Sequence, residues 1–233
     1  MYCNKEFQHI LIFIRSQRNK ICKFGILEEK TLVGRPLGLP GSTIGLLGGS
    51  FDPPHEGHVH ITKQAMKAFN LSKIWWLVSP SNPLKERKPQ EISKRYEASR
   101  EIMQHPAVTI TDIESRLGSK FTAETVHILQ RMYPGVKFVW LMGADNLVNF
   151  HKWDKWNWIV KNVPIGVLAR PGEQIKAGLS PTATRYRRFR IPSEEALSLS
   201  ILPPPVWTLL IGPMRDISST DLRAKGFWSN INT

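Results

Sequence analysis

From Thr43 onward, short apolar runs alternate with amphipathic stretches, and this alternation limits the folds open to the chain more than any other feature. Ile44–Leu47, Ile74–Val78, Val108–Ile110, Val136–Met142, Pro164–Leu168 and Trp207–Ile211 read as buried strands. Between or after them, Gly57–Phe69, Ile92–Met103, Thr122–Met132, Trp153–Val160 and Ser219–Lys225 read as helices. Val59, Ile61, Ala65, Met66 and Phe69, for example, recur near the helical period. Strands alternating with helices at this interval predict an α/β fold: a Rossmann-like, doubly wound parallel sheet with helices on both faces. Such sheets bind ligands at the carboxyl ends of their strands. The segments Gly48–His58, Ser79–Lys85 and Gly143–Trp153 all leave strands at that edge, so three loops are expected to meet at one crevice.

Residues 1–42 lack this pattern and end in the Gly- and Pro-rich run Gly34–Gly41. They read as an N-terminal extension and linker, or as a mis-set translation start, with the main domain spanning 43–233. The two cysteines, Cys3 and Cys22, are too few for a disulfide framework or a zinc site. No apolar run has the length of a membrane span, and the Ile10–Ile14 stretch lacks the flanks of a secretory signal. A cytoplasmic protein that does not enter the membrane is therefore expected. The net charge of +13 suits nucleic acid, an anionic surface or a polyphosphate substrate equally well. No nucleic-acid motif accompanies the Arg185, Arg187, Arg188 and Arg190 cluster, so nucleic acid is not the expected partner. The sequence is compatible with a monomer or an oligomer.

The strongest chemical signal is Gly49-Ser50-Phe51-Asp52-Pro53-Pro54-His55-Glu56-Gly57-His58, lying between a strand and a helix. Gly48 and Gly49 permit close approach of backbone to a ligand, and Pro53 and Pro54 stiffen the turn. His55 and His58, three apart at a helix start, can face one object. The helix N-terminus adds N–H groups and positive dipole, which suits phosphate. Alone, such a pair reads as a helix cap plus a surface histidine. Together with the glycines, the aromatic and the prolines, it points to phosphoryl chemistry.

This stretch resembles the Gly-x-Phe-x-Pro-x-His-x-Gly-His signature of the nucleotidyltransferase superfamily, and downstream segments resemble its bacterial nicotinate-nucleotide adenylyltransferase branch. The resemblance runs from about Ile44 to Arg223. It implies transfer of AMP from ATP to nicotinate mononucleotide, with release of pyrophosphate. By resemblance, Gly48, Gly49, Ser50, Phe51, Gly57 and His58 bind ATP, and His55 and His58 are catalytic. Ser79-Pro80-Ser81-Asn82-Pro83-Leu84-Lys85 resembles the family loop whose lysine lies near the substrate phosphate; it implies acceptor contacts for Asn82 and Lys85, with Lys85 also catalytic. Lys120-Phe121-Thr122 resembles a Tyr-Thr helix start that reads the nicotinate carboxylate, with Phe121 here in place of the usual tyrosine. Read without the family, Thr122 is a helix N-cap.

Gly143-Ala144-Asp145 followed by Trp153 implies an ATP-side role for Gly143 and Asp145 and stacking of Trp153 on the pyridine ring. Ile217-Ser218-Ser219-Thr220-Asp221-Leu222-Arg223 resembles the second superfamily signature; Ser218, Ser219 and Thr220 are then phosphate contacts, and Arg223 supplies charge to the triphosphate. Arg170 is a further candidate on the nucleotide side. No dedicated metal cage is legible, so Mg²⁺ is expected to ride on the ATP phosphates. The rival readings are another acceptor for the same fold (phosphopantetheine or nicotinamide mononucleotide), a basic nucleic-acid binder, and a fragment related to aminoacyl-tRNA synthetases.

Overall fold

The inner strands of the sheet are short runs of mostly apolar residues buried on both sides. The computed structural model describes residues 35–80, 89–169, 173–212, 219–226 and 228. The unit Pro36–Thr233 is built on six strands: β1 (Thr43–Gly49), β2 (Lys73–Val78), β3 (Val108–Thr111), β4 (Lys137–Gly143), β5 (Ile165–Ala169) and β6 (Trp207–Ile211). They pair in the order β3-β2-β1-β4-β5-β6, and every pairing is parallel. Successive side chains feed opposite layers: Trp75, Leu77, Phe138 and Trp140 enter one core, while Ile74, Trp76, Val139 and Leu141 enter the other. Two-sided burial explains why these strands read as continuous apolar runs and not as polar–apolar alternation. The doubly wound parallel sheet expected from the sequence is the fold observed.

The helices cover both faces. They are α1 (Glu56–Ala68), α2 (Ile92–Ile102), α3 (Ile113–Leu117), α4 (Thr122–Met132), α5 (Ala144–Asn149), α6 (Trp156–Asn162), α7 (Gln174–Gly178), α8 (Pro181–Arg185) and α9 (Ser219–Ala224). Four of these, α3, α5, α7 and α8, fall in segments where the sequence shows no helical period, because a helix of one or two turns gives periodicity nothing to repeat. The helix expected over Trp153–Val160 starts later: Phe150–Lys152 is a 3₁₀ turn, Trp153 is extended, and Lys155 at φ 48° precedes α6. Residues 36–42 pack on the domain: Tyr133 Oη donates to the Pro36 carbonyl at 2.9 Å, and Gly41 N to the Gly135 carbonyl at 2.8 Å.

The strand order reverses between β1 and β4. Crossovers leave these two strands in opposite directions, opening a crevice at their carboxyl ends. Gly49 and Gly143 end the two strands at that point.

Candidate active site

The loop leaving β1 is held by its own histidines. His55 is the N-cap of α1, and its Nδ1 accepts from Gly57 N at 3.1 Å. In return, Nδ1 of His58 accepts from His55 N at 3.2 Å, giving a capping box built from two imidazoles. A ring nitrogen that accepts a backbone N–H carries no proton, so each imidazole bears its proton on Nε2. The rings lie 3.9 Å apart between centroids at the start of a helix, where the dipole is positive. The cap thus fixes the two imidazoles side by side through their Nδ1 atoms.

Phe51 underlies this arrangement. Its backbone adopts φ 46°, and its ring is buried, stacked on Trp76 at 4.7 Å and 8°, with His58 4.8 Å away on its other contact. The aromatic of the signature therefore supports the histidine from below. The glycines also have a packing reason: a Cβ on Gly48 would sit 2.6 Å from Trp140 Cη2, and one on Gly49 3.3 Å from the Phe51 ring. Gly57 is buried in the first turn of α1.

The second signature folds back onto the first across the whole domain. Ser219 Oγ donates to the Pro53 carbonyl at 2.9 Å, and Arg223 Nη1 donates to the Asp52 carbonyl. Arg223 Nη2 also donates to Thr220 Oγ1 at 3.1 Å, which holds the guanidinium against the loop. Trp228 Nε1 donates to Asp52 Oδ1 at 2.6 Å, and Lys94 Nζ lies 4.9 Å from the Trp228 ring centre. Asn82, Lys85, Arg170 and Ser218 lie outside the described residues.

On the other side of the switch point, Asp145 is exposed in the first turn of α5, its carboxylate turned back over Gly143. Trp153 is half-buried, edge-on to Trp140 at 6.1 Å and to Phe150 at 5.0 Å. Phe121, not Thr122, is the N-cap of α4; it is extended and exposed, and Thr122 opens the helix. In this first turn Glu124 N donates to the Phe121 carbonyl at 3.0 Å, while the N–H groups of Thr122 and Ala123 precede the first intrahelical bond.

Two buried ionisable residues were not singled out from the sequence. Arg95 of α2 is 1% exposed and points its guanidinium into backbone carbonyls: Nη1 donates to Ser50 at 2.6 Å and Ser79 at 2.8 Å, Nε to Gln90 at 2.7 Å. Burial lowers its pKa from the ordinary value, and the negative charge of Asp52 opposes that shift. The guanidinium remains the cation that ties the exits of β1 and β2 together. A signal was available: Arg95 and Ser99 occupy the buried face of α2, where a charge is out of place. Glu114 of α3 accepts from Ser79 Oγ at 2.7 Å and Thr125 Oγ1 at 3.1 Å. Desolvation raises its pKa, and the two hydroxyl donors hold it back in part. Nothing in the sequence around Glu114 marks it as buried.

Among the described residues, no group of three or more His, Cys, Asp or Glu is placed to hold a metal ion. No described helix is long and apolar enough to cross a membrane.

Residues 46–225 match the cytidylyltransferase-like family model. The chain is 54% identical over 185 residues to the probable nicotinate-nucleotide adenylyltransferase of Cereibacter sphaeroides (strain ATCC 17023), covering 79% of this chain and 98% of the relative. The chain belongs to the nicotinate-nucleotide adenylyltransferase family. The probable nicotinate-nucleotide adenylyltransferase of Ruegeria pomeroyi is 52% identical over 84% of this chain and 92% of its own length. The family fold recurs at much lower identity. The Plasmodium falciparum nicotinic acid mononucleotide adenylyltransferase, solved as a complex with NaAD, superposes with a TM-score of 0.60 at 19% identity over 82% of this chain and 86% of that one. At that identity the likeness bears on the fold alone.

Proposed function

We propose that this family member transfers AMP from ATP to nicotinate mononucleotide, giving nicotinate adenine dinucleotide and pyrophosphate. The observation that carries this reading is the meeting of two distant signatures at one loop: the imidazole capping box of His55 and His58, and Arg223 and Ser219 bonded to the Asp52 and Pro53 carbonyls. The mononucleotide phosphate is already an anionic nucleophile. It attacks the α-phosphorus of ATP in line, the bond to the bridging oxygen breaks, and pyrophosphate leaves with the electron pair. Neither a general base nor a covalent enzyme intermediate is required, so the protein's task is positioning and charge stabilisation. The Nε2–H groups of His55 and His58 donate to phosphoryl oxygens as negative charge builds there, and the Arg223 guanidinium opposes the charge of the leaving group. Lys85, assigned by resemblance alone, serves the same end. ATP enters as its Mg²⁺ complex, the ion travelling with the phosphates as part of the substrate.

On the acceptor side, Thr122 with the first-turn amides of α4 reads the pyridine carboxylate, and Trp153 supplies a flat partner for the ring. The replacement of tyrosine by Phe121 removes a phenolic donor, which leaves this recognition to backbone N–H groups and the Thr122 hydroxyl. The test is pyrophosphate release from ATP and Mg²⁺ with nicotinate mononucleotide and, in parallel, with nicotinamide mononucleotide. Strong preference for the acid supports the reading; equal use of both removes the acceptor assignment; no turnover with either removes the activity.

A further inference from the structure

We infer that Glu114 is a positioning residue for the mononucleotide acceptor, holding the start of α4 in register with the exit of β2 through the hydroxyls of Thr125 and Ser79. This rests on the acceptor reading given above, in which the Phe121–Thr122 helix start faces the pyridine carboxylate.

The geometry forms a continuous chain. Gly49, at the end of β1, accepts from Ser79 N at 3.0 Å. Ser79 Oγ donates to Glu114 Oε2 at 2.7 Å, and Glu114 Oε1 accepts from Thr125 Oγ1 at 3.1 Å. Thr125 N donates to the Phe121 carbonyl at 3.1 Å, and Thr125 Oγ1 lies 3.3 Å from that same oxygen. Ser119 closes the group, with its Oγ 2.9 Å from Thr125 Oγ1 and its N–H on the Glu114 carbonyl at 3.1 Å. One carboxylate therefore joins the glycine turn of the nucleotide side to the N-cap of the acceptor-side helix.

A carboxylate is an expensive way to join two hydroxyls inside a protein. Glu114 is 7% exposed, and its described side-chain partners are hydroxyls, not a cation; nearby Arg116 pairs instead with Asp112 at 2.9 Å. An apolar residue of similar volume avoids the desolvation cost and is commonly neutral or stabilising in such places. What the carboxylate adds is direction: the Ser79 bond, at 2.7 Å, has the length of a hydroxyl bonded to an ionised oxygen, and the second oxygen holds Thr125 more loosely at 3.1 Å. That fixes the rotamers of Ser79 and Thr125, and with them the spacing between two segments that share no backbone pairing. A shift of a few tenths of an ångström there moves the carboxylate-reading amides without disturbing the phosphate loop, which has its own anchors in Arg95 and the imidazole box.

The test is steady-state kinetics of the full chain in the wild type, E114A, E114Q, S79A and T125V, varying each substrate at saturation of the other, with thermal melting run alongside. E114A is expected to raise KM for nicotinate mononucleotide about tenfold, the scale of one lost charged hydrogen bond, while KM for ATP stays within about twofold. E114Q, which keeps one accepting oxygen but loses the charge, recovers only part of the loss. Unchanged acceptor KM in E114A, or equal losses for both substrates that follow melting temperature across the set, overturns the inference and leaves Glu114 a structural residue. Should E114A not fold, S79A and T125V decide: acceptor KM rises several-fold in both if the inference holds, and stays put in both if it fails. Wild-type enzyme that turns over nicotinamide mononucleotide but not the acid overturns the acceptor reading itself, and this inference with it.

Discussion

Replacing Arg95 by methionine removes the cation but keeps an unbranched side chain of related length, so it isolates the electrostatic clamp from packing. Three part-buried carbonyls, those of Ser50, Ser79 and Gln90, lose donors at 2.6–2.8 Å; a fourth contact, to Pro80 at 3.4 Å, is too long to count for much. At about 1–2 kcal/mol for each hydrogen bond to the guanidinium removed, the loss is about 3–6 kcal/mol. Relief of the guanidinium's own desolvation returns part of this, leaving a net destabilisation of about 2–4 kcal/mol. For a domain of this size that corresponds to a fall in melting temperature of roughly 4–16 °C. Arg95→Lys keeps the charge but cannot span carbonyls from three segments, because an ammonium is a point donor and a guanidinium a planar fork. It is expected to fall between wild type and R95M. The assay is thermal and urea unfolding, with pyrophosphate release measured at a temperature where all three proteins are folded. Because Ser50 lies in the histidine loop after β1 and Ser79 at the exit of β2, R95M should also lose kcat/KM for both substrates together. An R95M protein that melts within about 2 °C of wild type would refute the reasoning, since no clamp of this geometry could then be bearing strain-free load on the loops.

Four further outcomes are expected. His58→Ala should lower kcat by about 10²–10³-fold, the usual loss on removing one donor to developing charge; near-normal turnover contradicts the phosphate-holding role. Glu114 carries a pH signature. Its carboxyl titrates higher in the folded than in the unfolded chain, because burial outweighs the two hydroxyl bonds. The native state therefore holds more protons in the window between the two values, and this residue's contribution to stability is lost as pH rises through the folded one. The melting temperature of E114Q relative to wild type should accordingly climb across that window, and a flat difference counts against the burial argument. Gly48→Ala places a Cβ 2.6 Å from Trp140 and should cost about 1–3 kcal/mol in urea unfolding, with no cost if Trp140 simply swings aside. Trp228→Phe removes the indole donor from Asp52 and should cost about 1–2 kcal/mol while raising KM for ATP; an unchanged KM separates the C-terminal segment from the loop it touches.

Local pattern was enough to define the sheet and to place the histidine loop between β1 and α1. Strands buried on both faces announce themselves as unbroken apolar runs, and β1, β2, β4 and β6 lie where Ile44, Trp75, Val139 and Leu209 require them. The adjacency of His55 and His58 at a helix start was equally legible, because it is made of neighbours three residues apart, but the reciprocal capping box they form appears only in the folded chain. Pairings across the chain were beyond that reach. The face of α2 on which Arg95 falls is the buried one, but no local pattern shows that its partners are the carbonyls of Ser50 and Ser79, 45 and 16 residues away. Glu114 sits on a helix too short to show a period, and only the packing of α3 beneath the β2 exit removes it from water. The order of the strands, too, was decided by the folded chain. Sequence spacing gave the six strands but not the reversal between β1 and β4, and that reversal is what sets Gly49 and Gly143 on either side of one crevice. Backbone and side-chain preferences act over a few residues and so can be read along a line. Burial, and the long hydrogen-bonded links it makes worthwhile, depend on which surfaces meet, and only the tertiary structure decides that.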